Sequence, residues 1–134
     1  MNILLDTHII LWYLNGDSKL PEKARAYIDD WKNNLYFSVA SLWEIEIKHI
    51  IHPDKMISSA GEILDLCRNA DFTLLPLHPE HIKLLHTLQR EEKAPPHNDP
   101  FDRILISQSK FEEMVFLTHD GLLKYYNEPC VMEV

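Results

Sequence analysis

The chain has 134 residues, of which 46% are hydrophobic and 25% charged. This composition predicts one folded domain over residues 1–134 and excludes a disordered or fibrous protein. The formal net charge of −8 argues against a protein that coats nucleic acid passively, because cations on phosphates supply most of the affinity in such binding. This argument does not apply to a protein that binds phosphates through metal ions held on carboxylates.

Several other classes of protein are excluded by simple sequence features. The three glycines are far apart, which excludes a P-loop and a GxGxxG dinucleotide fingerprint. Cys67 and Cys130 form no CxxC pair, so neither a zinc site nor a redox motif is indicated. No apolar run is long enough to cross a bilayer, and the first residues do not have the pattern of a signal peptide. We therefore expect a cytoplasmic protein that does not contact membranes.

Short apolar strands alternate with helices along the whole chain. The predicted strands are residues 1–6, 35–39, 72–77, 114–118 and 130–134. Helices are predicted over residues 7–14, 20–34, 40–51, 59–71, 79–93 and 99–111, with a turn and short helix over 119–126. Ser38 and Asp99 are predicted to be the N-caps of the third and last long helices. This alternation indicates an α/β domain with a central parallel sheet of about five strands flanked by helices.

Carboxylates follow or precede these strands at one expected edge of the sheet. In parallel α/β sheets, ligands bind beyond the carboxyl ends of the strands. Asp6 ends the first strand, Glu44 lies two turns into the helix after the second, and Asp120 follows the fourth. Asp99 and Asp102 begin the helix that precedes the fourth strand. The topology therefore has the capacity to bring five acids to one edge.

Each acid also has an ordinary structural explanation. Asp99 and Asp102 suit a helix N-terminus, Asp120 precedes a glycine as in many turns, and Glu44 has Lys48 one turn away. Asp6 and Glu44 are harder to explain in this way, because both lie within apolar sequence, where an unpaired charge is costly.

A cluster of carboxylates without cysteine suits hard cations such as Mg²⁺ or Mn²⁺. Such ions activate water and stabilise the leaving oxygen in phosphodiester hydrolysis. Without metal, the acids repel one another and some of their pKa values should rise. We therefore expect metal-dependent hydrolysis of phosphodiesters.

Four segments, LLDTHIILWYL, SVASLWEIEIK, HNDPFDRILISQS and FLTHDGLLKYY, resemble in order and spacing the signature segments of PIN-domain proteins. More narrowly, they resemble the VapC-like ribonuclease toxins of bacterial type II toxin–antitoxin pairs. The resemblance covers nearly the whole chain and implies a three-layer PIN-like fold, a Mg²⁺ or Mn²⁺ cofactor and cleavage of RNA.

The resemblance also implies roles for particular residues. The acidic quartet of the family falls on Asp6, Glu44, Asp102 and Asp120, and Asp99 is the additional acid of the HxDPFDR subgroup. Lys48 and Arg103 fit as cations that support the acids or face phosphate. Supporting or substrate-facing roles are also expected for Thr7, Ser41 and Thr118.

The family implies partners as well. Its toxins usually bind a small antitoxin protein near the active site, and they commonly form homodimers. An acidic pocket suits an antitoxin that contributes a basic side chain. Ile9, Trp12 and Tyr13 are candidates for the core or for an interface, and we favour the core.

The sequence departs from the family pattern after Lys48. Many relatives have a glycine-containing loop there, whereas this chain has HIIHPDKM. This change bears on substrate choice and on partner contacts.

Some aromatic residues and histidines lie near these segments. Trp31 and Trp43 are predicted to lie in the core. His8, His97 and His119 each lie within three residues of a candidate acid. We expect structural or solvent-exposed roles for them.

Two other functions remain open at this point. One is an aspartate-nucleophile phosphatase using Asp6, but such enzymes of the haloacid-dehalogenase type need a second acid two residues later, where this chain has His8. The other is a catalytically inert PIN-type binding module, although such a module is expected to have lost some of the acids, and all are present here.

Overall fold

A computed structural model describes all 134 residues of the chain. Five strands form one sheet: β1 (Asn2–Leu5), β2 (Asn34–Ser38), β3 (Thr73–Leu75), β4 (Val115–Thr118) and β5 (Val131–Glu133). The six helices are α1 (Thr7–Asn15), α2 (Glu22–Asp29), α3 (Val39–Ile51), α4 (Ala60–Asn69), α5 (Pro79–Lys83) and α6 (Pro100–Glu112). Two single 3₁₀ turns cover Leu85–Thr87 and Leu123–Tyr125. None of the helices is both long and apolar enough to cross a lipid bilayer.

All strand pairs in the sheet are parallel, and the strand order is β3-β2-β1-β4-β5. The central strand β1 pairs with β2 on one side and with β4 on the other. The chain therefore first builds outward from β1 in one direction and later returns to build in the other. A crevice at the carboxyl ends of β1 and β4 is the expected result of such a reversal.

The two faces of the sheet are covered by different helices, as the alternation along β1 shows. Ile3 and Leu5 pack with residues of α1, α2 and α4 in one apolar cluster, whereas Leu4 packs with residues of α6 in the other. Both faces are thus buried, which explains the continuous apolar sequence of β1. The predicted three-layer α/β fold is confirmed.

The long helix predicted over residues 79–93 is wrong in its second half. The α-helix ends at Lys83, and the Thr87 hydroxyl donates to the carbonyl of Leu84 at 2.6 Å. Beyond it, the Glu91 amide donates to Tyr125 O at 2.9 Å and the Asn127 amide to Gln89 O at 2.8 Å. These non-local hydrogen bonds use backbone groups that a continuing helix would have paired internally.

The prediction that Trp31 and Trp43 lie in the core is also wrong. Their exposed fractions are 87% and 62%. Helix α2 ends at Asp29, so Trp31 lies in the turn after it, and the helical spacing that suggested burial does not extend that far. Trp43 lies on the outer side of α3, where its ring meets Phe101 edge-on at 5.3 Å. Ile9 is fully buried as expected, and Trp12 and Tyr13 pack half-buried against the same core cluster.

Candidate active site

Asp6 lies at the end of β1, in the crevice between β1 and β4, and is 2% exposed. One carboxylate oxygen accepts a hydrogen bond from the Thr7 amide at 2.7 Å and caps α1. The other oxygen accepts from the Thr118 hydroxyl at 2.7 Å. Burial raises the pKa of Asp6, and these hydrogen bonds oppose the effect only in part. The structure therefore holds this carboxylate rigidly, in an environment that disfavours its charge.

Thr118 connects two of the candidate acids. Its hydroxyl donates to Asp6 and accepts from the Asp120 amide at 3.0 Å. The Asp120 carboxylate in turn accepts from the Leu122 amide at 2.9 Å, as in an ordinary aspartate turn. Asp6 and Asp120 line the same cleft, which has a volume of about 210 Å³ and also contacts His8, Trp12 and His119.

Glu44 reaches the site from α3 and is only 5% exposed. It pairs with Lys48 one turn later at 3.0 Å, so the expected local ion pair is present, but around a buried carboxylate. The neighbouring Ser41 hydroxyl accepts from the Thr7 hydroxyl at 2.8 Å and joins α3 to α1. Thr7 and Ser41 are both buried, so they support the site from within the protein.

Asp99 and Asp102 begin α6, and they differ in their contacts. Asp99 is the N-cap and accepts from the amides of Phe101 and Asp102 at 2.8 and 3.1 Å. Asp102 instead turns its carboxylate to the acid cluster. Burial, followed by the negative charges of Asp6, Asp99, Glu44 and Asp120, raises the pKa of Asp102 to about 8. The structure therefore brings all five predicted acids close enough to affect one titration.

His97 also belongs to this cluster, and the sequence analysis did not predict that it would. Its Nε2 lies 3.0 Å from Asp102 Oδ2 and its Nδ1 lies 2.9 Å from the Tyr126 hydroxyl. Ligand atoms of His97, Asp102 and Asp120 all lie within 4.8 Å of one another. In the sequence, the HNDPFDR segment places His97 close to Asp99 and Asp102. Tyr126, which orients the ring, lies 29 residues away.

His97 lies between Tyr126 and Asp102. Arg103 donates to the Tyr126 hydroxyl at 3.2 Å, which leaves the hydroxyl proton available for His97 Nδ1. In this arrangement Nε2 carries the proton and donates to the ionised carboxylate of Asp102. Burial lowers the pKa of His97, which favours this neutral form. Arg103, which also donates to Leu85 O at 3.2 Å, thus supports Asp102 through two intermediates and does not point into the cleft.

Comparisons with known proteins agree with this architecture. No curated protein sequence matches the chain. Among solved structures, a chain of VapBC2 from Rickettsia felis bound to a promoter DNA fragment is similar, with a TM-score of 0.70 and 14% identity over 100% of this chain and 99% of that one. A chain of FitAB bound to an IR36 DNA fragment has a TM-score of 0.55 and 20% identity over 88% and 85% of the two chains. A chain of FitAcB from Neisseria gonorrhoeae has a TM-score of 0.53 and 18% identity over 92% and 91%.

These identities are low, so the three structures establish a shared fold. The sequence itself goes further, because residues 3–128 match the family model of the PIN domain. That match spans β1 to the turn before β5 and includes every acid of the cluster, and the chain therefore belongs to the PIN-domain family.

Proposed function

We propose that this chain is a Mg²⁺- or Mn²⁺-dependent endoribonuclease and acts as the toxin of a type II toxin–antitoxin pair. PIN-domain proteins are generally nucleases. The observation that carries the proposal is geometric: ligand atoms of His97, Asp102 and Asp120 lie within 4.8 Å of one another. The carboxyl groups of Asp6 and Glu44 are buried, and burial together with four neighbouring acids raises the pKa of Asp102 to about 8. A helix start with only a structural role does not require a carboxyl that is buried among four others, whereas a cation site requires such a cluster.

The donor set fits a hard divalent cation. Asp6, Glu44, Asp102 and Asp120 offer carboxylate oxygens from four different elements, and Asp99 lies beside them. No cysteine is near, and the Nε2 proton of His97 is used on Asp102, so oxygen ligands dominate the site as Mg²⁺ and Mn²⁺ prefer. When bound, such an ion makes a coordinated water more acidic and neutralises charge on the phosphodiester.

The protein's own contribution is to hold the acids in place. Thr118 orients Asp6 and the backbone before Asp120, His97 orients Asp102, and Lys48 neutralises part of the charge of Glu44. Partners of this kind fix the direction of a carboxylate that would otherwise rotate away from its neighbours. No side chain of the site is a cysteine or serine nucleophile with an adjacent base, so water is the nucleophile we propose.

The proposed toxin role rests on the similar solved structures. VapBC2 and FitAB are complexes whose structures were solved with DNA fragments. We propose by analogy that this chain binds a small antitoxin protein near the acid cluster and forms a homodimer, and that RNA is its substrate.

The test is cleavage of a mixed RNA pool by the purified wild-type chain and by Asp6→Asn, with Mg²⁺, with Mn²⁺ and with EDTA. Asp65→Asn is the matched control, because Asp65 is an exposed aspartate on α4. We expect cleavage by the wild type and by Asp65→Asn that EDTA abolishes, and none by Asp6→Asn. Equal cleavage by all three proteins would reveal a contaminant. Cleavage by none of them would favour the inert binding module.

A further inference from the structure

A second cavity lies directly beside the acid cluster, between α1 and the segment that follows α3. Its volume is about 370 Å³. Its walls carry the side chains of His8, Lys48, His52 and Lys55 over an apolar floor of Leu11 and Met56, and no carboxylate lines it. Three of these residues, His52, Lys55 and Met56, come from HIIHPDKM, the segment in which the sequence departs from the family pattern.

This cationic cavity and the acid-lined cleft share a wall. His8 lines both of them. Thr7, which also contacts the cavity, directly follows Asp6, and Lys48 is bound to Glu44 at 3.0 Å. The cleft and the cavity are therefore adjacent, with His8 between them.

Lys55 is the cation of the cavity with no partner in the protein. Among other cations of the chain, Lys110 pairs with Glu128, Arg103 is held by Tyr126 and Leu85, and Arg90 donates to Pro95 O. Lys55 is exposed and makes no ion pair. In a chain of net charge −8, a free lysine beside the acid cluster is a local positive potential that an approaching polyanion encounters first.

We propose that this cavity binds a backbone phosphate of single-stranded RNA next to the phosphodiester that lies at the acid cluster. The inference rests on the proposed nuclease function and names a subsite for its substrate. Lys55 and Lys48 supply positive charge, and the rings of His8 and His52 supply N–H donors, which are the groups that bind phosphate oxygens. RNA has one phosphate for every nucleotide, so it is able to occupy the cavity and the cleft at the same time.

An acidic peptide is a poorer fit to the same geometry. Its carboxylates would suit the cavity, but such a peptide offers no phosphodiester to the cation that the proposed function places at the neighbouring acids. The proposed function therefore favours a ligand that carries phosphate.

The experiment measures RNA binding without cleavage. The parent protein is the full chain carrying Asp6→Asn, in EDTA, and the probe is a fluorescein-labelled single-stranded RNA of mixed sequence and about 12 nucleotides. Fluorescence anisotropy gives the affinity across a series of NaCl concentrations. Lys55→Ala and Lys55→Arg are compared with Lys32→Ala, which removes the same charge from an exposed position just before β2, at the opposite edge of the sheet.

We expect Lys55→Ala to weaken RNA binding by ~3- to 10-fold at low salt and to reduce the slope of log affinity against log salt by ~0.7, the value for one phosphate contact on a single strand. Lys55→Arg and Lys32→Ala should bind as the parent does. Equal affinities of Lys55→Ala and Lys32→Ala would overturn the proposal, as would the absence of RNA binding by the parent.

A labelled oligo-glutamate peptide tests the other class of ligand. If the peptide binds and depends on Lys55 while RNA does not, the cavity is a peptide site and the proposal is wrong. The outcome is independent of the nuclease test, because no metal or cleavage is involved. If the wild-type chain cuts no RNA but RNA binding still depends on Lys55, the phosphate subsite stands and the proposed nuclease function is refuted.

Discussion

The buried carboxyl of Asp102 makes a specific prediction about the stability of the metal-free protein. Its pKa is about 8 in the folded state, against an ordinary value of 3.8. Between these values, the folded protein retains a proton that the unfolded chain has lost. The free energy of unfolding contributed by this group must therefore fall as the pH rises from about 4 to 8.

The magnitude follows from the linkage relation. One proton bound only in the folded state gives a slope of about 1.36 kcal/mol per pH unit. Between pH 6.5 and 8, this would amount to about 2 kcal/mol. The Asp102 side chain is 14% exposed, so solvent screening reduces the expected loss to about 1 to 2 kcal/mol. The pKa of His97 is lowered from its ordinary value of 6.5. His97 therefore affects the free energy of unfolding mainly below pH 6.5, outside this range.

The assay is urea unfolding in EDTA, followed by circular dichroism at several pH values between 6.5 and 8. Asp102→Asn cannot ionise, and its amide oxygen still accepts from His97. We expect its free energy of unfolding to fall less steeply than that of the wild type over this range, because only the raised pKa of Asp6 still contributes to the slope, and to exceed that of the wild type at pH 8. Asp65→Asn, which changes an exposed aspartate, should follow the wild-type curve.

Two results would refute this reasoning. One is a wild-type stability that stays constant or rises between pH 6.5 and 8. The other is an Asp102→Asn protein that keeps the wild-type slope, since the titrating group would then lie elsewhere.

Three further predictions follow from single contacts. Thr118→Val removes the hydroxyl that donates to Asp6. It should lower the free energy of unfolding by about 2 kcal/mol, which is typical of a hydrogen bond to a charged group. Urea unfolding measures this change, and Thr73→Val, at an exposed position of β3, is a control that should change little. His97→Ala should weaken Mn²⁺ binding in calorimetry by roughly 10-fold or more, as loss of an orienting partner does, whereas His97→Gln, which retains an N–H donor, should restore part of the affinity; equal affinities of both variants and the wild type would contradict the positioning role. Leu105→Ala, in the fully buried interior, should cost about 3 kcal/mol in thermal or urea unfolding, and Leu66→Ala, at a residue that is 43% exposed, should cost far less.

The parts of the fold that depend on local sequence could be predicted. Ser38 and Asp99 are N-caps as expected, because the side chain, the amides it accepts from and the start of the helix lie within three residues. The inner strands β1 and β4 are buried on both faces and are therefore continuously apolar, which makes them predictable from the sequence. The edge at which the acids meet followed from the parallel topology alone.

The features that sequence reasoning missed depend on distant partners. Residues 89–91 pair with 125–127, and no local pattern indicates that this pairing replaces a helix. The same pairing brings Tyr126 beneath His97, so the role of His97 in orienting Asp102 is decided by a residue 29 positions away. The prediction that Trp31 is buried failed because α2 ends at Asp29, so the helical spacing does not reach Trp31. Trp43 lies within α3 but on its exposed side.

The hydrogen bond between Asp6 and Thr118 joins residues 112 positions apart. At a synthesis rate of 5 to 20 residues per second, Thr118 is made roughly 6 to 22 s after Asp6. Until β4 arrives beside β1, the cleft lacks one wall, and Asp6 lacks the hydroxyl that orients it. The order of the strands thus sets a delay during translation. Asp6 is among the first residues to be made, but it enters the environment that it has in the folded protein only when nearly all of the domain has left the ribosome.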